Sequence, residues 1–278
     1  LTNTHTPSTV DIPVTKIWVD NDNQDGLRPA KITVKLLANG GEVARKDITS
    51  ETDWKETFTG LPKFKDGKEI VYTLQEEKAE NYSPSIDQEN YTITNTHTPG
   101  KTTLSVTKQW DDQEDKDGLR PKTIKVQLYA DGQKLGKEVE LSEDNKWSYT
   151  FSDLDEKKDG KTIQYTVKET KVPEGYTQTV EATNLGQVVI SNTHTPSKTK
   201  VQLTKKWDDA NNQDGIRPAS ITVRLYKDGA PTDQTLELSE ANQWHGTFEN
   251  LDVNAAGKAL HYTVKEENVP EGYTLSID

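Results

Sequence analysis

Cysteine is absent from the 278 residues, so no disulfide can hold the fold together. Small secreted domains with thin cores usually rely on such a staple. If these residues are extracellular, something other than sulfur must take its place. Methionine is absent as well, and the chain opens on Leu1. It therefore reads as an internal piece of a longer product, with any targeting signal outside it. No apolar stretch approaches the length of a membrane span, and no signal peptide is visible. Basic runs are missing too. The formal net charge is −12, which disfavours both phosphate neutralisation on nucleic acid and docking on anionic lipid. Neither nucleic acid nor membrane is an expected partner. Apolar residues are scarce at 31%, against 29% charged, which is thin for one large core and suits several small domains. A disordered acidic chain is the competing reading. Six Trp, ten Tyr and a regular apolar alternation weigh against it.

What is present is a repeat. The run from Val14 to Pro29, VTKIWVDNDNQDGLRP, returns from Val106 to Pro121 and again from Leu203 to Pro218. Trp54, Trp147 and Trp244 each precede a Phe by four residues: Phe58, Phe151 and Phe248. YTLQE, YTVKE and YTVKE end at Glu76, Glu169 and Glu266, and NTHTP begins at Asn3, Asn95 and Asn192. The period matches an immunoglobulin-like sandwich. Apolar residues alternate with polar ones, as in Ile32, Val34, Leu36 and Ile124, Val126, Leu128, which marks half-buried strands. Asp-Gly pairs at 25–26, 66–67, 131–132 and 228–229 punctuate them as turns. The expected fold class is all-β: three tandem Ig-like β-sandwich domains in an elongated array. We place the modules at 8–99, 100–196 and 197–278, joined by short HTPG and HTPS linkers, with 1–7 as the last strand of a preceding repeat.

Within these strands, three polar residues fall on the wrong face. Side chains two apart on a strand share a side. Lys16 lies between Val14 and Trp18, Lys108 between Val106 and Trp110, and Lys205 between Leu203 and Trp207. Glu76, Glu169 and Glu266 follow Leu74, Val167 and Val264, while Asn95 and Asn192 follow Ile93 and Ile190. A buried charge is costly and usually neutralises by shifting its pKa. A neutral lysine amine beside a protonated glutamic acid is a nucleophile beside a proton donor. The amine could attack the asparagine carbonyl carbon with the acid relaying the proton, releasing ammonia and leaving a Lys–Asn isopeptide bond. The other reading of the same trio is a structural Lys–Glu ion pair with a hydrogen-bonded Asn. The residues alone leave both open.

The order VTKxW, DGLRP, W, F, YTVKE, NTHTP resembles the Cna B-type repeats of Gram-positive cell-wall-anchored collagen adhesins and pilins, over essentially the whole chain. The resemblance implies an inverse-immunoglobulin sandwich and an autocatalytic Lys–Asn isopeptide bond with an essential acid. Carried over residue by residue, it implies crosslinks Lys16–Asn95 and Lys108–Asn192, and catalytic Glu76, Glu169 and Glu266. It also implies an extracellular place on the Gram-positive cell wall by sortase attachment, although LPKF at Leu61 does not match a sorting signal. The function expected is a structural stalk rather than a turnover enzyme, with no cofactor. Its partners would be neighbouring repeats and the adhesive region of the parent protein, and a host matrix protein only through that parent. A matrix-binding module is the alternative, and saturable binding in a screen would discriminate it.

Other motifs were weighed as well. Asn21, Asn23, Asp25 and Gly26 sit at EF-hand-like positions, but Ile32 stands where the closing Glu belongs, so a solvated turn is expected and no metal. His5, His97 and His194 read as hinge residues of the linkers. For Arg28, Arg120 and Arg217 a salt bridge to a neighbouring loop is expected, and for the tryptophans core or edge packing. The third repeat reaches Asp278, which aligns with Asp87, so Lys205 and Glu266 lack an Asn partner downstream, while Leu1–Thr6 is a last-strand segment carrying Asn3. Either the sequence is cut at a boundary, or Leu1–Thr6 of one copy completes repeat three of another by strand donation.

Overall fold

The computed structural model describes residues 1–183 and 186–277. Among these, regular structure is strand, apart from three single-turn 3-10 helices. Repeat one holds β1 (Thr9–Val19), β2 (Lys31–Ala38), β3 (Gly41–Thr49), β4 (Lys55–Pro62), β5 (Phe64–Lys65), β6 (Lys68–Glu69), β7 (Tyr72–Glu76), β8 (Ser83–Asp87) and β9 (Thr92–Thr96). Repeat two follows with β10 (Lys101–Asp111), β11 (Thr123–Ala130), β12 (Gln133–Ser142), β13 (Ser148–Asp155), β14 (Lys157–Lys158), β15 (Lys161–Thr162), β16 (Tyr165–Glu169), β17 (Thr177–Thr183) and β18 (Gln187–Thr193). Repeat three holds β19 (Lys198–Thr204), β20 (Ser220–Lys227), β21 (Ala230–Ser239), β22 (His245–Asp252), β23 (Asn254–Ala255), β24 (Lys258–Ala259) and β25 (Tyr262–Glu266).

In repeat one the sheets run β4-β1-β9-β8 and β3-β2-β7, with β5-β6 as a separate hairpin. The inward faces are those the alternation marks. Ile12 and Val14 of β1, Phe58 of β4 and Ile93 of β9 meet Ile32, Val34, Leu36, Ile48, Tyr72 and Leu74 of the other sheet in one buried cluster. Each such side chain contributes roughly 1.5–3 kcal/mol when fully buried. First and last strands lie side by side and parallel, with Lys16 opposite Ile93 and Trp18 opposite Asn95. Parallel neighbours cannot be joined by a hairpin, so the whole repeat runs between them. Repeat two has the same arrangement, β13-β10-β18-β17 and β12-β11-β16, with Lys108 opposite Ile190 and Trp110 opposite Asn192.

Repeat three keeps the sheet β21-β20-β25 but pairs β19 with β22 alone. In repeat one the residues Lys16–Val19 are held by β9; the corresponding Lys205–Asp208 are outside any strand. The core there falls into two clusters, one around Ile221, Val223 and Leu238, the other around Leu225, Phe248 and Leu251. Ile93 of β9 joins the single cluster of repeat one. Leu1–Ser8 are exposed and outside any strand.

By their internal contacts the residues group into two compact units. The first is Leu1–Leu104 with Ala130–Gln133 and Phe151–Tyr165; the second is Ser105–Tyr129 with Lys134–Thr150 and Thr166–Asp278. The division falls inside repeat two and assigns its short hairpin β14-β15 to the first unit.

Candidate functional site

Lys16 reaches inward from β1 because it occupies the same side as Ile12 and Val14, and its side chain is fully removed from solvent. Glu76 comes from the opposite sheet, at the end of β7, with its side chain 2% exposed. Lys16 Nζ lies 3.2 Å from Glu76 Oε1, within ion-pair range. Asn95 of β9 is fully buried and donates from Nδ2 to the same Glu76 Oε1 at 3.0 Å. Lys16, Glu76 and Asn95, the trio singled out in the sequence, therefore converge on one carboxylate oxygen. The hydrogen bonding is incomplete: Lys16 Nζ, Glu76 Oε2 and Asn95 Oδ1 are buried without a hydrogen-bond partner. Buried polar groups are normally satisfied, and these three atoms belong to the three side chains that meet at Glu76.

Desolvation lowers the Lys16 pKa to about 8, against the opposing pull of the nearby Glu76 carboxylate. Trp18 closes the site from the strand's end, with Lys16 Nζ 4.4 Å from its ring centroid. Trp54 and Tyr82 meet Trp18 edge-on at centroid distances of 5.1 and 4.8 Å. These rings exclude water, and that exclusion is what makes the ammonium costly.

Repeat two assembles the same residues with different hydrogen bonds. Lys108 is again buried, its pKa lowered to about 8, first by desolvation. Its Nζ sits 4.1 Å from the Trp110 centroid and donates to the carbonyls of Gln109 and Ile190 at 2.8 and 3.3 Å. Glu169 is pushed up by burial, against the Lys108 charge and donors from Asn192 and Gln178. Asn192 Nδ2 donates to Glu169 Oε1 at 3.3 Å and Gln178 Nε2 to Oε2 at 2.5 Å. Asn192 Oδ1 has no hydrogen-bond partner. Gln178 was not anticipated. The position aligned with it in repeat one is Pro84, which likewise faces the strand asparagine, so no repeating signal marks it. In repeat three Lys205 Nζ donates to Glu266 Oε2 at 2.8 Å, and Glu266 Oε1 is buried without a partner. Asn3 lies in the exposed segment before β1.

After each first strand stands a second acid, buried in repeats one and two and half-buried in repeat three, that sequence reasoning missed. Asp20, Asp112 and Asp209 each take two hydrogen bonds from the arginine eight residues on, Arg28, Arg120 and Arg217. Each also accepts from a tyrosine hydroxyl: Tyr82, Tyr176 or Tyr273 at 2.8, 2.8 and 2.9 Å. Burial alone would raise the Asp112 pKa; the Arg120, Asp115 and Tyr176 hydrogen bonds outweigh it and hold the carboxyl at about 2. The signal was available, since Asp, Arg and Tyr recur in step in all three repeats.

Three expectations are corrected here. The arginines bind the acid eight residues before them in their own loop, because a bidentate fork closes the turn on itself. The loop after Trp18 is not a solvated turn: Asp20 is 2% and Asp25 9% exposed, and Asn23 Oδ1 accepts the Arg28 backbone N–H at 2.8 Å. Both Asp20 oxygens, Asn23 Oδ1 and Asp25 Oδ2 accept from protein donors. His97 and His194 are not free hinges, since their Nε2 atoms lie 2.9 and 3.0 Å from Asp25 and Asp117.

With this geometry in hand, known proteins bear on it. The profile of the Cna protein B-type domain matches residues 12–96, 104–193 and 201–278. The chain is 43% identical over all its 278 residues to a collagen adhesin of Staphylococcus aureus, of which it spans 23%. The solved structure of two B repeat units of the S. aureus collagen binding protein is 43% identical, with a TM-score of 0.58, covering 94% of this chain and 69% of that one. A single B repeat unit of the same protein is 46% identical over 68% of this chain and 100% of that one, with a TM-score of 0.34. The chain belongs to the Cna protein B-type domain family, with three repeats in tandem.

Proposed function

We propose that these repeats are a stalk of a Gram-positive surface adhesin, locked by intramolecular isopeptide bonds Lys16–Asn95 and Lys108–Asn192. The observation that carries this reading is the buried, incompletely satisfied trio of Lys16, Glu76 and Asn95. The neutral Lys16 amine attacks Asn95 Cγ, and the new N–C bond replaces the C–Nδ2 bond. Glu76 takes the amine proton and hands it to the departing nitrogen, which leaves as ammonia. Lysine and asparagine are consumed, so the chemistry runs once. Holding the groups together is worth roughly 7–11 kcal/mol of the barrier. The product ties residues 79 positions apart, and by the chain-entropy model such a closure adds about 4–5 kcal/mol of stability. The likeness to a collagen adhesin supports a parent protein that binds host collagen through another region. Extracellular, wall-attached placement follows the same support.

Intact mass tests the reading. The chain should weigh two ammonia molecules less than its sequence, and Glu169→Ala should restore one of them. A mass equal to the unmodified sequence would refute it.

A further inference from the structure

The Asp-Gly loop after each first strand is used twice in the same way. In repeat one it is Gln24, Asp25 and Gly26; in repeat two, Lys116, Asp117 and Gly118. Against the first lies Gly160, at the tip of hairpin β14-β15; against the second lies Gly257, at the tip of hairpin β23-β24. The approach is backbone on backbone. A Cβ on Gly26 would come within 2.6 Å of Gly160 Cα, and one on Gly118 within 2.4 Å of Gly257 Cα. Each tip glycine donates its N–H to the loop carbonyl before the aspartate: Gly160 to Gln24 at 3.0 Å, Gly257 to Lys116 at 3.1 Å.

The aspartate then ties in the linker. Asp25 Oδ2 accepts the Gly100 N–H at 3.0 Å and lies 2.9 Å from His97 Nε2. Asp117 Oδ2 accepts the Ser197 N–H at 2.9 Å and lies 3.0 Å from His194 Nε2. The second ring nitrogen of each histidine meets a carbonyl of its own repeat, Asn81 at 3.1 Å and Gly175 at 2.8 Å. One carboxylate therefore holds the loop, the departing chain and the first residue beyond the Pro of the linker. The fold of a single repeat does not demand the close glycine contact. Gly215 and Gly67, the matching loop and tip glycines at the other positions, would have nothing within 4 Å of an added Cβ.

We infer that this loop is a docking socket whose partner is the glycine-tipped hairpin of the following repeat, with the linker histidine as its latch. The inference stands whether or not the isopeptide bonds form. It makes the repeats couple through a shared surface rather than through a loose HTP tether, and it assigns a role to the DG of DGLRP and to the H of NTHTP. Both halves are carried by every repeat, so the partner class is any module of the same kind.

The chain has no cysteine, so a single pair of spin labels can be placed at Glu51→Cys and Ser152→Cys in the full chain. Both sites are exposed. Double electron–electron resonance should give a narrow distance distribution. Asp25→Ala and, separately, Gly160→Val should broaden it at least twofold. Gly67→Val carries the same backbone strain at an undocked tip and should leave it unchanged. Thermal melts of each variant establish that the repeats remain folded; if Asp25→Ala does not fold, Gly160→Val, which leaves repeat one untouched, decides. A distribution already broad in the parent chain overturns the inference. So does one left unchanged by both variants, or one broadened equally by Gly67→Val.

Discussion

A buried amine with a pKa near 8 is half neutral at that pH, and this single residue sets both reactivity and cost. In a chain where Lys16 cannot react, for instance Asn95→Ala, the amine remains titratable. Its folded pKa is depressed to about 8 from 10.5. Between those values the unfolded chain binds more protons than the folded one, so stability rises with pH across the window and levels off above it. The slope approaches about 1.4 kcal/mol per pH unit for one such group. Urea titrations of Asn95→Ala at pH 7.5, 9 and 10.5 should show that rise for repeat one. In the parent chain Lys16 is an amide under our reading and does not titrate, so its repeat should show no such slope. A parent chain with the same slope as the variant would mean the amine is still free.

At the level of elements, the tightest geometry lies where the 3-10 turns end. Lys146 and Trp147 both adopt left-handed backbone, with φ of 52° and 55°, as do the paired residues at 53–54 and 243–244. A non-glycine residue there costs roughly 1–2 kcal/mol. The tryptophan is held by its edge-on contact with Trp110 at 5.2 Å, whereas Lys146 is exposed. Lys146→Gly should therefore stabilise repeat two by about 1 kcal/mol, read as a higher denaturation midpoint. Sequence periodicity could not reveal this turn, because αL geometry at Lys146 leaves no compositional trace. It did reveal the strands, since Ile32, Val34 and Leu36 face a core and their neighbours do not. It also marked Lys16, Glu76 and Asn95, because a polar residue in an apolar row is conspicuous at period two. Gln178 was hidden for another reason, and the Asp20–Arg28–Tyr82 cluster was marked by its recurrence in each repeat but not by period-two alternation. Their partners come from segments far apart in sequence or from loops, where alternation carries no information. His97 was misread because a linker residue between two polar neighbours looks solvated until Asp25 is seen to face it.

Across the whole molecule, under the reading we propose, the junctions and the locks have separate mechanical roles. At the second junction the Asp117 hydrogen bond and the Gly175 carbonyl raise the His194 pKa above 6.5, with the charges of Asp117 and Asp112 adding to this. Tyr176 also packs on the ring. A raised folded pKa means the stabilisation is complete below 6.5 and fades as pH passes the folded value. His194→Gln should lower the melting temperature more at pH 5.5 than at pH 8.5, and an equal loss at both would separate the histidine from its charge. The proposed locks act on extension. Force entering β1 leaves through β9, its parallel neighbour, and a Lys16–Asn95 bond carries it directly across. The 79 positions between them then stay folded or slack, but do not lengthen the chain. Pulled by its ends in a force spectrometer, the parent chain should show no long step from repeats one and two. Glu76→Ala, which cannot form the first bond, should add one step on the order of 270 Å, at ~3.4 Å per released residue. A parent trace that already contains two such steps from these repeats would mean that β1 and β9 are held by hydrogen bonds alone, which unzip under load.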